Sequence, residues 1–498
     1  MLVAAAAGCG ASTARSSPTL TVLTVAAPSA PSSLDPATGE PSNETYLDFA
    51  YDPLIVQAAD GSFKPGLATS WKYGQNNETF TMNLRSGVKF SDGTALTAAA
   101  VKDWINYTMQ AGKGGNTYLS TLKTIDATGP LALTMTFSKP TPNLEIVFGQ
   151  ILGIGMVGSP HAVTAKTLAT KTAGAGPYVL DTATSVPGAS YTYTPNPYYW
   201  NKEAVHWKKV VVKVISNQTT VLQALQTGQV QVAKDQPVSS INAAQKRGLK
   251  YVDPLTLLLG LNLMDRNGKV DKPLSSLQVR QALNYAVDRT VLANVIAKTY
   301  GVPTNQMSAP GWNSYNSAIA HEYPYNPAKA RQMLASAGYP NGFILHVVSV
   351  NAVGQDLLGK ALVGQLAKIG VTLKLDIATS FGQYFQALGS NKYSSSTFSF
   401  GHLPAAFNYD IIWGPTAVYN PYKVTSTSLA DLNSRVRAAS AAEQPAIEKQ
   451  IQASLVDQAW FVPVVAIPLV VLHSTQVTDV NATPHRNVVY MTEIKPAQ

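Results

Sequence analysis

Two stretches of this chain repeat one succession of patterns. "VVVKVISNQTTVLQALQTGQVQVA" (210–233) runs from a β-branched segment into apolar residues at helical spacing. It stops at Gly228 and returns to a β-branched segment. "FILHVVSV" (343–350), a helical pattern over 355–369 and "VTLKLDIA" (371–378) do the same. A strand–helix–strand unit lays its strands parallel and packs the helix on the sheet they form, so each block calls for an α/β layer of its own. The chain has 498 residues, beyond the ~250–300 at which one hydrophobic core stops growing. The patterns therefore predict an α/β protein with two sheets in two lobes.

Other segments fill in around these blocks. "LTVLTVAA" (20–27) is expected as a strand, and 43–57 has helical spacing that breaks at Asp52-Pro53. Residues 80–90 read as two short strands about Ser86-Gly87, 94–111 as a helix capped by Thr97, and 131–139 as a strand. A strand over 190–200 runs into a Pro-stopped turn. Helices are expected at 276–298, at 326–338 and, as one long element, at 428–458. The second of these opens on Asn326-Pro327 and closes at Gly338, a cap before Pro and a Gly at the end. The last strands fall in 461–473.

The formal net charge is +9, but the basic residues are scattered. The densest group, Lys208, Lys209 and Lys213, interrupts a run of Val and reads as the solvated face of a strand. Nucleic-acid grooves need clustered cations with stacking aromatics, so no nucleic-acid partner is expected. No G-x-S-x-G elbow, HExxH pair or phosphate-binding loop is present. Neither catalysis nor a resident metal or cofactor is expected. The single cysteine, Cys9, excludes an intrachain disulfide. It follows the small residues Ala6, Ala7 and Gly8 and precedes a Gly/Ser/Thr/Pro-rich tether. "MLVAAAAGC" resembles a bacterial lipobox, although Ala6 replaces the usual Leu and no Lys or Arg precedes it. The resemblance implies that Cys9 carries a lipid holding the protein to the outer face of the cell membrane, with 1–19 as signal remnant and tether.

Several segments, in order, resemble the family 5 solute-binding proteins of bacterial ABC importers, the dipeptide, oligopeptide and nickel type. The first is 51–104, with Asp60-Gly61, Pro65, Ser70-Trp71, Gly87-Val88, Asp92-Gly93 and Leu96-Thr97-Ala98. "GAGPYVL" (174–180), "NPYYW" (196–200), "LQALQTGQVQVA" (222–233), "VRQALNYAVDR" (279–289) and "YPYNPAKARQMLASAGYP" (323–340) follow. The resemblance implies a two-lobed periplasmic-binding-protein type II fold, a Venus flytrap. Lobe one would hold 20–260, with an extra subdomain near 57–170, and regain 475–498; lobe two would hold 261–474. The chain would cross near 257–264 and near 469–476. It also implies an extracytoplasmic monomer that closes on a peptide or related solute and delivers it to ABC permease subunits and their ATPase. A non-peptide solute (oligosaccharide, metal chelate or haem) and a sensor or scaffold role are the alternatives.

In peptide-binding relatives a lobe-two segment reading Gly-Trp, two variable residues, Asp-Tyr enters the cleft, and its Asp takes the peptide amine. Here "SFGHLPAAFNYDIIWGP" (399–415) keeps Gly401 but has His402 for the Trp and Ala405 for the Asp, and no Arg occurs between Arg331 and Arg435. Both charge anchors of a free peptide are missing from their usual places. Asp410 replaces the amine partner if the loop is re-threaded, or is a plain loop acid; Glu40 is a second candidate. His402 is either a hydrogen-bonded aromatic or a ligand for a metal chelate. Phe407, Tyr409 and Trp413, with Phe398 and Phe400, favour an uncharged or bulky solute gripped by ring faces: a blocked, cyclic or longer peptide, or a glycoside. From lobe one, the loops 38–43 and 152–160 are placed at the cleft, through Glu40 and Ser42 and through close backbone approach at Gly153 and Gly155.

Overall fold

The computed structural model describes residues 20–38, 43–111, 118–483, 486 and 488–497. The two strand–helix–strand blocks lie in two different sheets. Across the seven-stranded first sheet the order is Lys250–Val252, Val470–His473, Val232–Gln236, Val22–Ala27, Lys209–Val214, Ser190–Pro195 and Tyr178–Leu180. The strands of the first block, Lys209–Val214 and Val232–Gln236, are not neighbours. Val22–Ala27 lies between them and is parallel to both. The helix Gln218–Gln226 thus carries the chain over a gap that the first strand fills. The helix starts where the Asn217 side chain accepts from Thr220 N at 3.0 Å, and the chain turns through Gly228 at φ 73°.

The six-stranded second sheet runs Val302–Pro303, Phe461–Pro468, Leu255–Leu263, Ser395–Gly401, Phe343–Val350 and Val371–Ala378. Here the block's two strands pair directly and in parallel along their whole length, with Gln355–Ala367 packed on them. A third layer, Ala68–Tyr73, Thr79–Leu84, Ala132–Phe137 and Leu122–Gly129, is antiparallel and covered by the helix Ala98–Ala111. Its own core includes Phe80, Trp104 and Phe137. Thr97 caps that helix, accepting from Ala100 N at 3.1 Å.

Several sequence expectations change. The helix over 276–298 is two, Leu277–Tyr285 and Arg289–Ala297, because Asp288 accepts from Val291 N at 3.1 Å and caps a new start. The long element over 428–458 is Thr427–Ala438 and Gln444–Asp457. Between them Glu443 takes the Ser440 N–H and hydroxyl at 2.9 and 2.7 Å, and Pro445 sits in the first turn of the second helix. Of the two strands over 80–90, only Thr79–Leu84 forms; past the turn at Gly87 there is just an isolated bridge between Lys89 and Ala95. The helical spacing over 43–57 yields the short helix Glu44–Leu47.

The chain passes between the first and second sheets at two places. Leu255–Leu263 lies wholly in the second sheet, so the first crossing is at 253–254 and not within 257–264. Phe461–Pro468 belongs to the second sheet and Val470–His473 to the first, which puts the return at 469. Pro254 lies in the first crossing and Pro468 ends the strand before the second, and neither has an N–H to extend a ladder. Beyond the return, Val477, Val489, Met491 and Ile494 pack into the core beneath the first sheet, and Trp207 Nε1 donates to Ile494 O at 2.8 Å.

Candidate functional site

The strand Ser395–Gly401 ends at the segment the sequence singled out. His402 lies on Trp312, ring centroids 4.5 Å apart and planes 15° apart. Pro404 opens a short helix, Ala405–Asn408, which runs into the π turn Tyr409–Trp413. Ala405 N donates to the buried Glu448 carboxylate at 2.9 Å, and burial pushes that carboxyl up from its ordinary value. Beside the His402–Trp312 stack lies a cavity of ≈ 10 Å³, room for about one water, bordered also by Ser314, Asn408 and Trp413. Trp312 Nε1 is buried there with no hydrogen-bond partner.

Asp410 is already engaged. Its Oδ2 stands 2.6 Å from Arg437 Nη2, and the same guanidinium donates to Ala406 O at 2.9 Å. The pair clamps the segment to the helix Thr427–Ala438. Trp413 is buried against Phe461, and Phe398 stacks on Phe400 at 4.5 Å inside the second sheet's core. Tyr409 is half-buried, and burial raises its hydroxyl, helped by Asp410. Phe407 goes elsewhere. It leaves its own sheet and enters the core of the four-stranded unit, edge-on to Tyr118 at 5.3 Å. Nearby, Asn77 Nδ2 donates to Arg437 O at 2.8 Å and Ala439 O at 3.3 Å. The segment therefore spans from the second sheet to the unit attached to the first.

On the first-sheet side, Gly153 and Gly155 are buried and their carbonyls are taken, by Met156 N at 3.1 Å and Leu54 N at 2.9 Å. A Cβ at Gly153, where φ is +72°, would lie 2.6 Å from Pro36 O; one at Gly155 would lie 2.0 Å from Phe148 O. The structure places both glycines where two backbone segments of the protein pass close to each other, in place of the expected approach to a ligand. Glu40, Ser42 and Cys9 lie outside the described residues. Just after residue 43 the structure gathers charges the sequence reading passed over. Lys234 Nζ meets Glu44 Oε2 at 2.8 Å, with both side chains largely buried. Burial opposes the Lys234 charge, yet the carboxylates of Glu44, Asp235 and Asp48 hold its pKa above the ordinary value. Burial, with Glu44 second, raises the Asp48 carboxyl. Glu44 Oε1 and Asp48 Oδ1 are buried without partners. The sequence carried only a weak signal: Lys234 follows Val232-Ala233 in a strand pattern and must find a counter-charge if it folds inward, but Asp235 beside it gave no sign of the distant partners.

Among the described residues, no cluster of His, Cys, Asp or Glu could hold a metal ion, and no helix is long and apolar enough to cross a membrane. What the second-sheet segment offers is the half-exposed rings of His402 and Tyr409 and a clamped backbone, with its one carboxylate already paired.

A family model described as bacterial extracellular solute-binding proteins, family 5 Middle, matches residues 62–420. The glutathione-binding protein GsiB of Escherichia coli K12 is 26% identical over 478 residues, covering 88% of this chain and 90% of its own. The solved structure of the ABC transporter-associated periplasmic binding protein DppA of Helicobacter pylori, in complex with the peptide STSA, superposes with a TM-score of 0.80. It is 22% identical and covers 96% of this chain and 99% of its own. NikA of Staphylococcus aureus, solved with nickel and L-histidine, gives a TM-score of 0.76 at 17% identity, covering 95% and 100%. The two-lobed periplasmic-binding architecture is common to these structures and to this chain.

Proposed function

Since the chain belongs to the bacterial extracellular solute-binding proteins of family 5, we propose that it is the extracytoplasmic receptor of an ABC importer, that it closes on an uncharged or end-blocked solute, and that Cys9 anchors it by a lipid. The solute class rests on one observation: Asp410, the one carboxylate of the second-lobe segment, is bound to Arg437 at 2.6 Å. A free peptide amine stripped of water needs an opposite charge, and a carboxylate already ion-paired supplies little of it. The half-exposed His402 ring, stacked on Trp312, suits a neutral group packed on its face. The permease and its ATPase are the partners this role requires.

A thermal-shift screen tests the solute. Free and N-blocked di- and tripeptides, longer peptides, oligosaccharides, haem and nickel chelates are each added in excess, with calorimetry on any hit. A ligand at a hundredfold its dissociation constant stabilises the fold by about 2.7 kcal/mol. Blocked or neutral solutes are expected to raise the midpoint; tight binding confined to free di- and tripeptides defeats the solute class. For the anchor, Cys9→Ser expressed with a complete signal is expected to move the protein from the membrane to the soluble fraction. Unchanged membrane association defeats it.

A further inference from the structure

In the four-stranded unit a hairpin tip joins Ala68–Tyr73 to Thr79–Leu84. Its Asn76 and Asn77 both take left-handed backbone, at φ 56° and 55°. Asn enters that region more readily than most side-chain-bearing residues, and still at a cost. Two bonds within the unit fix Asn77 there. Its N–H donates to Gly74 O at 3.3 Å, and its carbonyl accepts from Thr141 N at 2.9 Å. So held, its side chain reaches the lobe of the second sheet. Nδ2 donates to Arg437 O at 2.8 Å and to Ala439 O at 3.3 Å. Those carbonyls stand at the C-terminus of the helix Thr427–Ala438. The last carbonyls of a helix have no partner within it and carry the negative end of its dipole. Asn77 is thus a helix C-cap supplied from another unit of the chain. Backbone strain that its surroundings over-determine gathers at clamps and switch regions.

The same helix end also holds the strap. The Arg437 guanidinium takes Asp410 at 2.6 Å and Ala406 O at 2.9 Å, while its carbonyl takes Asn77. One residue past Ala406, Phe407 enters the core of the four-stranded unit against Tyr118. An apolar contact and a polar one between the unit and the second-sheet lobe therefore converge on Arg437. A hinge motion that carries the unit away from the second sheet parts the Asn77 amide from both acceptors.

We propose that Asn77 is a closure latch: by capping the C-terminus of a helix in the second-sheet lobe, at Arg437, it holds the lobes together before a solute arrives. The proposal rests on the reading of the chain as a receptor that closes on its solute. It adds that the chain's own contact favours the closed form, so the solute supplies less of the free energy of closing.

Double electron–electron resonance on the whole solute-free chain tests it. Spin labels go on Lys123→Cys in the four-stranded unit and Asp431→Cys on the receiving helix, both exposed, in a Cys9→Ser background. A short interlabel distance is expected to dominate. Asn77→Gly keeps the left-handed backbone and removes only the amide, and is expected to lower the closed-to-open ratio about tenfold, the weight of its hydrogen bonds. Asn77→Asp sets a carboxylate against the negative end of the helix and is expected to lower it at least as far. Asn76→Gly, at the exposed neighbour, is expected to leave the ratio unchanged. A ratio unaltered by both Asn77 changes overturns the proposal, and so does a solute-free chain found only at the long distance. An equal fall in Asn76→Gly overturns it as well, since the backbone of the tip and not the amide would then hold the lobes. None of these results touches the solute class, which the thermal-shift screen decides separately.

Discussion

Asp52 is an acid that the fold keeps from its ordinary ionisation. Burial pushes its pKa up to about 7, against the opposing pull of the Trp200 and Tyr199 hydrogen bonds and of Arg85, which stacks over Trp200 at 3.9 Å. An acid whose folded pKa exceeds its unfolded value leaves the native state holding more protons between the two. The contribution is therefore fully present below the unfolded pKa of 3.8 and is lost as pH rises through about 7. The thermal midpoint should fall between about pH 5 and pH 8 by an increment that Asp52→Asn removes. Superimposable pH profiles for the two proteins reject the assignment. Arg437 shows the opposite economy: one guanidinium serves both Asp410 and the Ala406 carbonyl, so the half-exposed Asp410 carboxylate is already ion-paired to a helix of its own sheet's lobe.

At the scale of elements, the segment after Gly401 is a strap between the lobes. Phe407 is 3% exposed in a core that otherwise belongs to the four-stranded unit. Trp413, six residues on, is 2% exposed in lobe two's own core. Truncating a buried aromatic costs roughly 3–5 kcal/mol wherever it sits, so both Phe407→Ala and Trp413→Ala should lower the midpoint. Only Phe407→Ala removes a contact between lobes. It should therefore also raise the radius of gyration measured by small-angle X-ray scattering, whereas Trp413→Ala should not. Equal radii for the two variants would mean that Phe407 does not hold the lobes together. The helix breaks at Asp288 and at 439–443 belong to the same scale. Each follows from a side chain that captures backbone N–H groups and starts a new helix.

For the whole molecule, two sheets with separate cores are joined by two short crossings at 253–254 and 469 and by the strap. Such a chain should not unfold as one unit without ligand. Scanning calorimetry should give a calorimetric enthalpy above the van't Hoff value, and a ligand that binds both lobes should bring the two together. A ratio of one in the free protein would show that the strap and the other contacts across, such as Tyr251 on Tyr300, already couple the lobes. Closure of the lobes on a solute, a hinge motion about these crossings, is the movement such a receptor uses.

The sequence by itself determined the α/β class, the two blocks and most element positions, because periodicity, caps and turn residues act within a few residues of one another. Thr97, Asn326 and Gly228 sit where they were read. It also showed that the stretch 399–415 holds a single carboxylate, Asp410. Tertiary structure decided the rest. That Val22–Ala27 separates the strands of the first block, that Phe407 belongs to the core of the four-stranded unit, and that Asp410 is bound to Arg437 are pairings between distant residues. So is the meeting of Lys234 with Glu44 and Asp48. Local propensity says whether a residue is buried or turned. Which distant partner meets it is fixed only when whole layers pack, since that choice minimises unpaired charge and empty volume across the molecule.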